Sequence, residues 1–277
     1  MSSFIAETRL IQKSDWAIDS EPTRGAVRAG LGENEESGKQ AALLSELMDI
    51  VVDYLHVPNA NIFGESEWRS LAGRAVSVPP PPPNIEAILQ SQCPFDPTNT
   101  KTVGETHMLV CIPLEVNGKP LTVNRMEAFA KSISRNDRAG FQYFENGIKK
   151  AHGDVPLDAG WALMTRDVIE GSRYKSYKEQ QEIIRNNPRA VGWEVPSIRE
   201  AIVCIFANFI KNNLRTFNTD YLFTVAPTFT RCREQIYNCQ IITGSFGPVG
   251  LVVDFFFLDC DDGYMGVAGL RKFLLGH

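Results

Sequence analysis

The sequence predicts an α+β fold in which helices precede an antiparallel sheet, on three observations. Two capping boxes, Ser176-x-x-Glu179 and Ser197-x-x-Glu200, open helices in the second half of the chain. Beyond them the apolar period becomes strand-like in segments between Thr228 and Phe273, separated by glycine-rich turns such as Gly244 to Gly250. Helices that cluster before strands argue against a doubly wound parallel sheet, in which the two alternate.

The elements follow in order. Residues 1–40 are expected to form a flexible arm, because Asp19 to Gln40 is polar, holds four glycines and offers no apolar cluster to bury. Residues 41–78 form a small helical segment: Leu43, Leu44, Leu47, Ile50, Val51 and Tyr54 recur at helical spacing, and Trp68 centres a turn or short helix. Pro79 to Pro83 reads as a stiff polyproline II spacer with no basic residue at its C-terminal side to make it a ligand. Residues 84–277 are the main domain. There Asn84 caps a helix to Gln90, Thr106 to Leu114 is a buried strand, and Asn117-Gly118 turns the chain. Thr122 to Ile133 and Phe141 to Ala151 read as helices, the second closed by a left-handed Gly153. Trp161 to Ile169 is a strand. The helix after Ser176 runs to about Asn187 before Pro188, and the one after Ser197 carries Ile198, Ala201, Ile202, Ile205, Phe206, Phe209 and Ile210 on one stripe. Thr228 to Cys232, Ile236 to Thr243, Leu251 to Phe257 and Met265 to Phe273 complete the sheet.

Composition narrows the function. Among 277 residues, 28 Lys and Arg oppose 33 Asp and Glu, a net charge of -5 with no basic block, so nucleic acid is not an expected partner. The first residues mix charges where a Sec signal needs an apolar run, and Ala201 to Ile210 is half the length of a bilayer span, so no membrane partner is expected. The six cysteines lack the spacing of a disulfide scaffold and are expected as reduced core thiols. These features suit a cytoplasmic protein, or one delivered to a host cell without a Sec signal peptide.

Chemistry-bearing patterns are few. None of His56, His107, His152 or His277 stands beside a nucleophile signature, and Gly244-Ser245-Phe246-Gly247 has the spacing of a turn. His107 and Cys111 share a strand face, but with Cys232 and Cys239 they lack the paired clamp of a zinc site. Asp259, Asp261 and Asp262 with Gly263 do not match the positions of a calcium loop, and no glycine-rich phosphate cradle feeds a helix. No catalytic, metal or cofactor residue is therefore assigned. Trp161, Arg166, Asp167, Arg173, Trp193, Arg231 and Arg233 are the candidate binding surface, since aromatics and arginine are enriched at recognition sites. The alternative is an enzyme with a cysteine-based centre at Cys232 or Cys239, where Arg231 and Arg233 beside Glu234 could depress a thiol pKa.

Taken together, IPLEVNGKPLTVN, WALMTRDVIEGSRYKSYKEQQ, WEVPSIREA, TFTRC and GVAGLRKF resemble an uncharacterised family of Chlamydia-like environmental bacteria over about Ser66 to Phe273, with CPF at Cys93 to Phe95 and ETH at Glu105 to His107. Members often carry an F-box-like N-terminal segment, which docks onto a Skp-type adaptor. Leu43 to Leu55 and Trp68 resemble its first helix and terminal tryptophan. From about residue 155 to 277, the element order with Trp193-Glu194-Val195-Pro196 and Glu200 resembles a C-type-lectin-like module, without the E-P-N and W-N-D calcium-sugar motifs. The resemblances imply a non-catalytic protein-recognition module, a bacterial effector working in a host cell through a protein partner such as the Skp adaptor.

Overall fold

Three rules of local chemistry, helix capping, cross-strand pairing and burial of apolar faces, account for most of the fold. The computed structural model describes residues 61–274 apart from 74, 134–138, 218–226 and 259–261. The chain divides into Met1–Val57 and Pro58–His277, and the described residues all fall in the second unit. The expected arm at 1–40 and the helix at Ala41 to His56 lie outside them, as does most of the acidic loop at 259–261.

The described elements are β1 (Ile62–Phe63), α1 (Glu65–Ala72), β2 (Val76–Ser77), α2 (Ile85–Gln90), α3 (Val103–Thr106), β3 (His107–Ile112), β4 (Glu115–Val116), α4 (Val123–Ile133), β5 (Phe141–Phe144), α5 (Asn146–His152), β6 (Gly160–Thr165), α6 (Tyr177–Arg185), β7 (Trp193–Glu194), α7 (Ile198–Asn212), β8 (Phe229–Ile236), β9 (Cys239–Gly247), β10 (Gly250–Phe257), β11 (Met265–Val267) and β12 (Leu270–Leu274). Two five-stranded sheets dominate, ordered β1-β3-β6-β12-β7 and β11-β8-β9-β10-β5, beside a small β2-β4 pair. This is an α+β architecture, as expected. Both large sheets are mixed, however, and not purely antiparallel. Their inner strands pair antiparallel, whereas β1 on β3, β5 on β10 and β11 on β8 pair parallel. Each parallel strand is a short sheet edge reached by a long connection, which parallel pairing requires.

Both capping boxes form. The Ser176 and Ser197 side chains accept from the Glu179 and Glu200 amides, and each glutamate reaches back to its serine. Helix α7 contacts β1, β3 and β6 of the first sheet and β8 and β9 of the second. It is therefore enclosed on more than one side: Val203, Cys204, Ala207 and Asn208 are buried beside the predicted stripe. Among the described residues, no helix is long and apolar enough to cross a membrane.

Four local expectations are corrected. Phe141–Phe144 is a strand and only Asn146–His152 is helical, since the aromatic run pairs with β10 and Glu145 caps the helix by accepting from the Ile148 amide. Gly153 is right-handed at φ -61°, and an added Cβ would lie 2.6 Å from the Lys149 carbonyl oxygen, so close packing is its reason. Gly244 to Gly247 belongs to β9 and is no turn. A Cβ on Gly244 would lie 2.2 Å from the Thr228 carbonyl oxygen, so the residue permits close approach of the neighbouring backbone. Met265 to Phe273 is two strands in different sheets, because the chain crosses at Ala268-Gly269, where Gly269 packs under the Phe95 ring.

The domain expectations change as well. Trp68 is fully buried, its indole donating to the Cys111 carbonyl at 2.8 Å, and Glu67 pairs with Lys211 of α7 at 2.7 Å. Residues 62–77 thus belong to the main core. Pro79 and Pro82 are buried too, and the Trp161 indole donates to the carbonyls of Pro79 and Pro80 at 3.3 and 2.9 Å. The proline run is a packed strap and not a spacer. The stretch from 155 is joined to the preceding part of the main domain, since β6 pairs with β3 from His107↔Thr165 to Ile112↔Gly160.

Candidate functional site

A cleft of about 720 Å³ opens where β3 begins and β6 ends. One wall is the segment from Cys93 to Thr106. Its loop closes on the Asp96 carboxylate, which accepts from the amides of Thr98, Thr100 and Lys101 at 3.0, 2.7 and 2.8 Å and from the Thr98 hydroxyl. These bonds, led by that from the Thr98 hydroxyl, hold the carboxyl well below the usual carboxylate range. Asn187 and Arg189 then clamp the loop by donating to the carbonyls of Pro94 and Cys93. Thr102 and Glu105 form a further capping box that opens α3, which the Thr102 amide and then its hydroxyl stabilise by lowering the Glu105 pKa.

The opposite wall is the turn after β6. The Arg166 amide donates to the Thr106 carbonyl, the Thr165 hydroxyl to the Asp167 carbonyl at 2.7 Å, and the Ile169 amide to the Val267 carbonyl. Arg166, Asp167, Glu170 and Arg173 line the cleft opposite Lys101 and Glu105. Arg166 donates to the Glu105 carbonyl, and its Nε is buried without an acceptor among the described residues. Arg173 is committed to the Gly263 carbonyl and the Thr228 hydroxyl, both at 2.8 Å. Lys101 and Glu170 are exposed, and among the described residues neither side chain makes a hydrogen bond or salt bridge. The cleft therefore offers side chains of both signs that are not tied to a partner.

His107 stands beside this region with its ring among Phe95 and Trp193, at centroid distances of 6.4 and 4.8 Å. It is fully buried, and burial, with a smaller contribution from Arg166, pushes its pKa down to about 3. Nδ1 faces the Val103 carbonyl at 3.2 Å and the Thr106 hydroxyl at 2.8 Å. A carbonyl can only accept, which assigns the proton to Nδ1. The Thr106 hydroxyl in turn donates to the Thr102 carbonyl at 2.8 Å, so this imidazole is not placed to take its proton.

Three of the seven sequence-predicted residues, Arg166, Asp167 and Arg173, come together here. Trp161 instead holds the proline run, and Trp193 packs on Phe95 and His107. Arg231 is fully buried and donates to the Lys175 carbonyl and to Gln180 Oε1 at 2.9 and 3.0 Å. Arg233 joins Lys272 in an ion-pair network with Glu194 and Glu200 at the start of α7. Burial would raise the Glu200 pKa, but the Ser197 bonds and the two cations outweigh it and hold the carboxylate ionised.

The two cysteines considered for a reactive centre both lie in the interior. Cys232 is fully buried, and burial, with Glu234 and Glu200, pushes its thiol up, which is the reverse of nucleophile activation. Cys239 is buried and unpaired. Among the described residues no group of three or more His, Cys, Asp or Glu is placed to hold a metal ion. Two signals point to cleft residues that the sequence expectations omit: the T-x-x-E capping box at Thr102 and the Asp96-x-Thr98 turn signature. No protein-family model matches the chain, and no curated protein or solved structure does.

Proposed function

We propose that the chain is a non-catalytic protein-recognition module and that the cleft between the Cys93–Thr106 segment and the turn after β6 is its contact surface. One observation carries this reading. Lys101 and Glu170 present charges of opposite sign, with no side-chain hydrogen bond or salt bridge among the described residues, around an open cleft beside the exposed Asp167, while Cys232 and His107 are buried and do not line it. Such an arrangement favours a partner segment of mixed charge, steered and registered by complementary charges. The family resemblance extends the proposal to an effector acting inside a host cell. A Skp-type adaptor remains a candidate partner for residues 41–60 only, since Trp68 is committed to the core.

The test compares capture by the wild-type chain and by D167K/E170K from amoebal lysate. Both positions are exposed and the D167K change removes only a local bond from the Val168 amide, so the variant is expected to melt within a few degrees of the wild type. A protein captured by the wild type and lost from the variant supports the reading. Equal capture by both, or capture by neither, contradicts it.

A further inference from the structure

The proline run is docked on the fold by two buried prolines and by hydrogen bonds from the Trp161 indole. A polyproline II rod turns about every three residues and has no backbone donors, so it presents three edges and a row of open carbonyls. Within the run burial follows that period: Pro79 and Pro82 are buried, whereas Pro80, Pro81 and Pro83 are exposed. The peptide bonds of this stretch are all trans.

Trp161 is suited to hold such a segment. Trp161 stands directly across from Phe273 in the β6–β12 ladder, so both rings belong to one face of the sheet. The Trp161 side chain supplies a flat apolar surface and one N–H donor, and that donor meets the carbonyls of Pro80 and Pro79 at 2.9 and 3.3 Å. An aromatic shelf with an indole donor aimed at proline carbonyls is how polyproline II segments are recognised between proteins.

We propose that the Trp161–Phe273 shelf is a binding site for proline-rich segments and that the chain's own Pro79–Pro83 is its resident, displaceable occupant. The partner is a proline-rich stretch of another protein, which offers the same carbonyls and the same apolar edge. The resident is held by these two carbonyl bonds and by Pro79 and Pro82, with three of its five prolines exposed. Being tethered, it competes as though present at about millimolar concentration, so an incoming segment binds strongly only when the run is loosened. The site lies apart from the charged cleft and stands or falls independently of it.

The test is a titration of an oligoproline peptide into the full chain and its variants. P79G/P80S/P81G/P82S/P83G removes the resident. P80G/P81G loosens it at exposed positions only and keeps the buried Pro79 and Pro82, so the fold survives even where the fivefold variant fails. Each variant whose melting curve shows a folded protein is expected to bind the peptide about tenfold more tightly than the wild type. Adding W161F, which removes the donor and keeps an aromatic ring, is expected to cancel that gain. A folded variant that binds no better than the wild type, or a gain that survives W161F, overturns the proposal.

Discussion

Burial holds the His107 imidazole neutral, and this has a consequence for stability against pH. An unfolded histidine titrates near pH ~6.5, whereas the folded one is pushed down to about 3. Between those values the unfolded chain takes a proton that the folded chain refuses, so stability falls as pH drops. The slope reaches about 1.4 kcal/mol per pH unit for this one group. H107F keeps a ring between Phe95 and Trp193 but cannot titrate. Denaturant midpoints measured from about pH 6 to about pH 4 should fall less steeply in H107F, by about one proton; an unchanged slope would mean that His107 is not the group responsible. Gly244 makes a second case. A methyl group there would overlap the Thr228 carbonyl oxygen at 2.2 Å and Phe229 Cα at 2.8 Å, contacts that no rotamer relieves. G244A is expected to cost a few kcal/mol in chemical denaturation, and a neutral substitution would refute the close approach. Residue types alone mark the glycine cluster but do not tell a turn from a close crossing. Likewise Arg166, Asp167 and Arg173 are legible as interaction-prone, yet nothing in their types separates them from Arg231, which the fold buries.

Helices were the most legible elements because capping is local chemistry. The serine, the glutamate three residues on, and the apolar period that follows are all present in the sequence and all form at α6 and α7. Phe141–Phe144 was not legible as a strand, because its partner β10 lies a hundred residues further along and tertiary pairing overrides local preference. The degree of enclosure of α7 was also hidden, since a stripe shows one apolar face and cannot show that a second sheet covers the other. Enclosure sharpens a prediction. Ile205 is fully buried, so I205D places an unpaired charge between two sheets. The cost is several kcal/mol against a total margin of about 5–15 kcal/mol. The variant should be recovered as insoluble protein, and soluble protein with wild-type melting would contradict the packing described for α7.

At the scale of the molecule, the first sheet gathers strands from residue 62 to residue 274, and the cleft joins segments some 70 residues apart in sequence. No local pattern encodes that assembly, which explains why the proline run looked like a boundary and why half of the cleft was missed. Limited proteolysis of the full chain should therefore leave a resistant fragment that keeps Ile62 to Ser77, since backbone that is paired and packed resists cleavage. Cleavage within Pro79 to Pro83 would instead restore the spacer reading. The recognition proposal itself is tested most directly by the dissociation constant of the partner captured by the wild-type chain, measured for wild type and for D167K/E170K across a range of salt. The account predicts that wild-type affinity weakens as salt rises and that D167K/E170K binds at least ~10-fold more weakly at low salt, through slower association and faster dissociation. Equal constants for the two proteins, insensitive to salt, would contradict it.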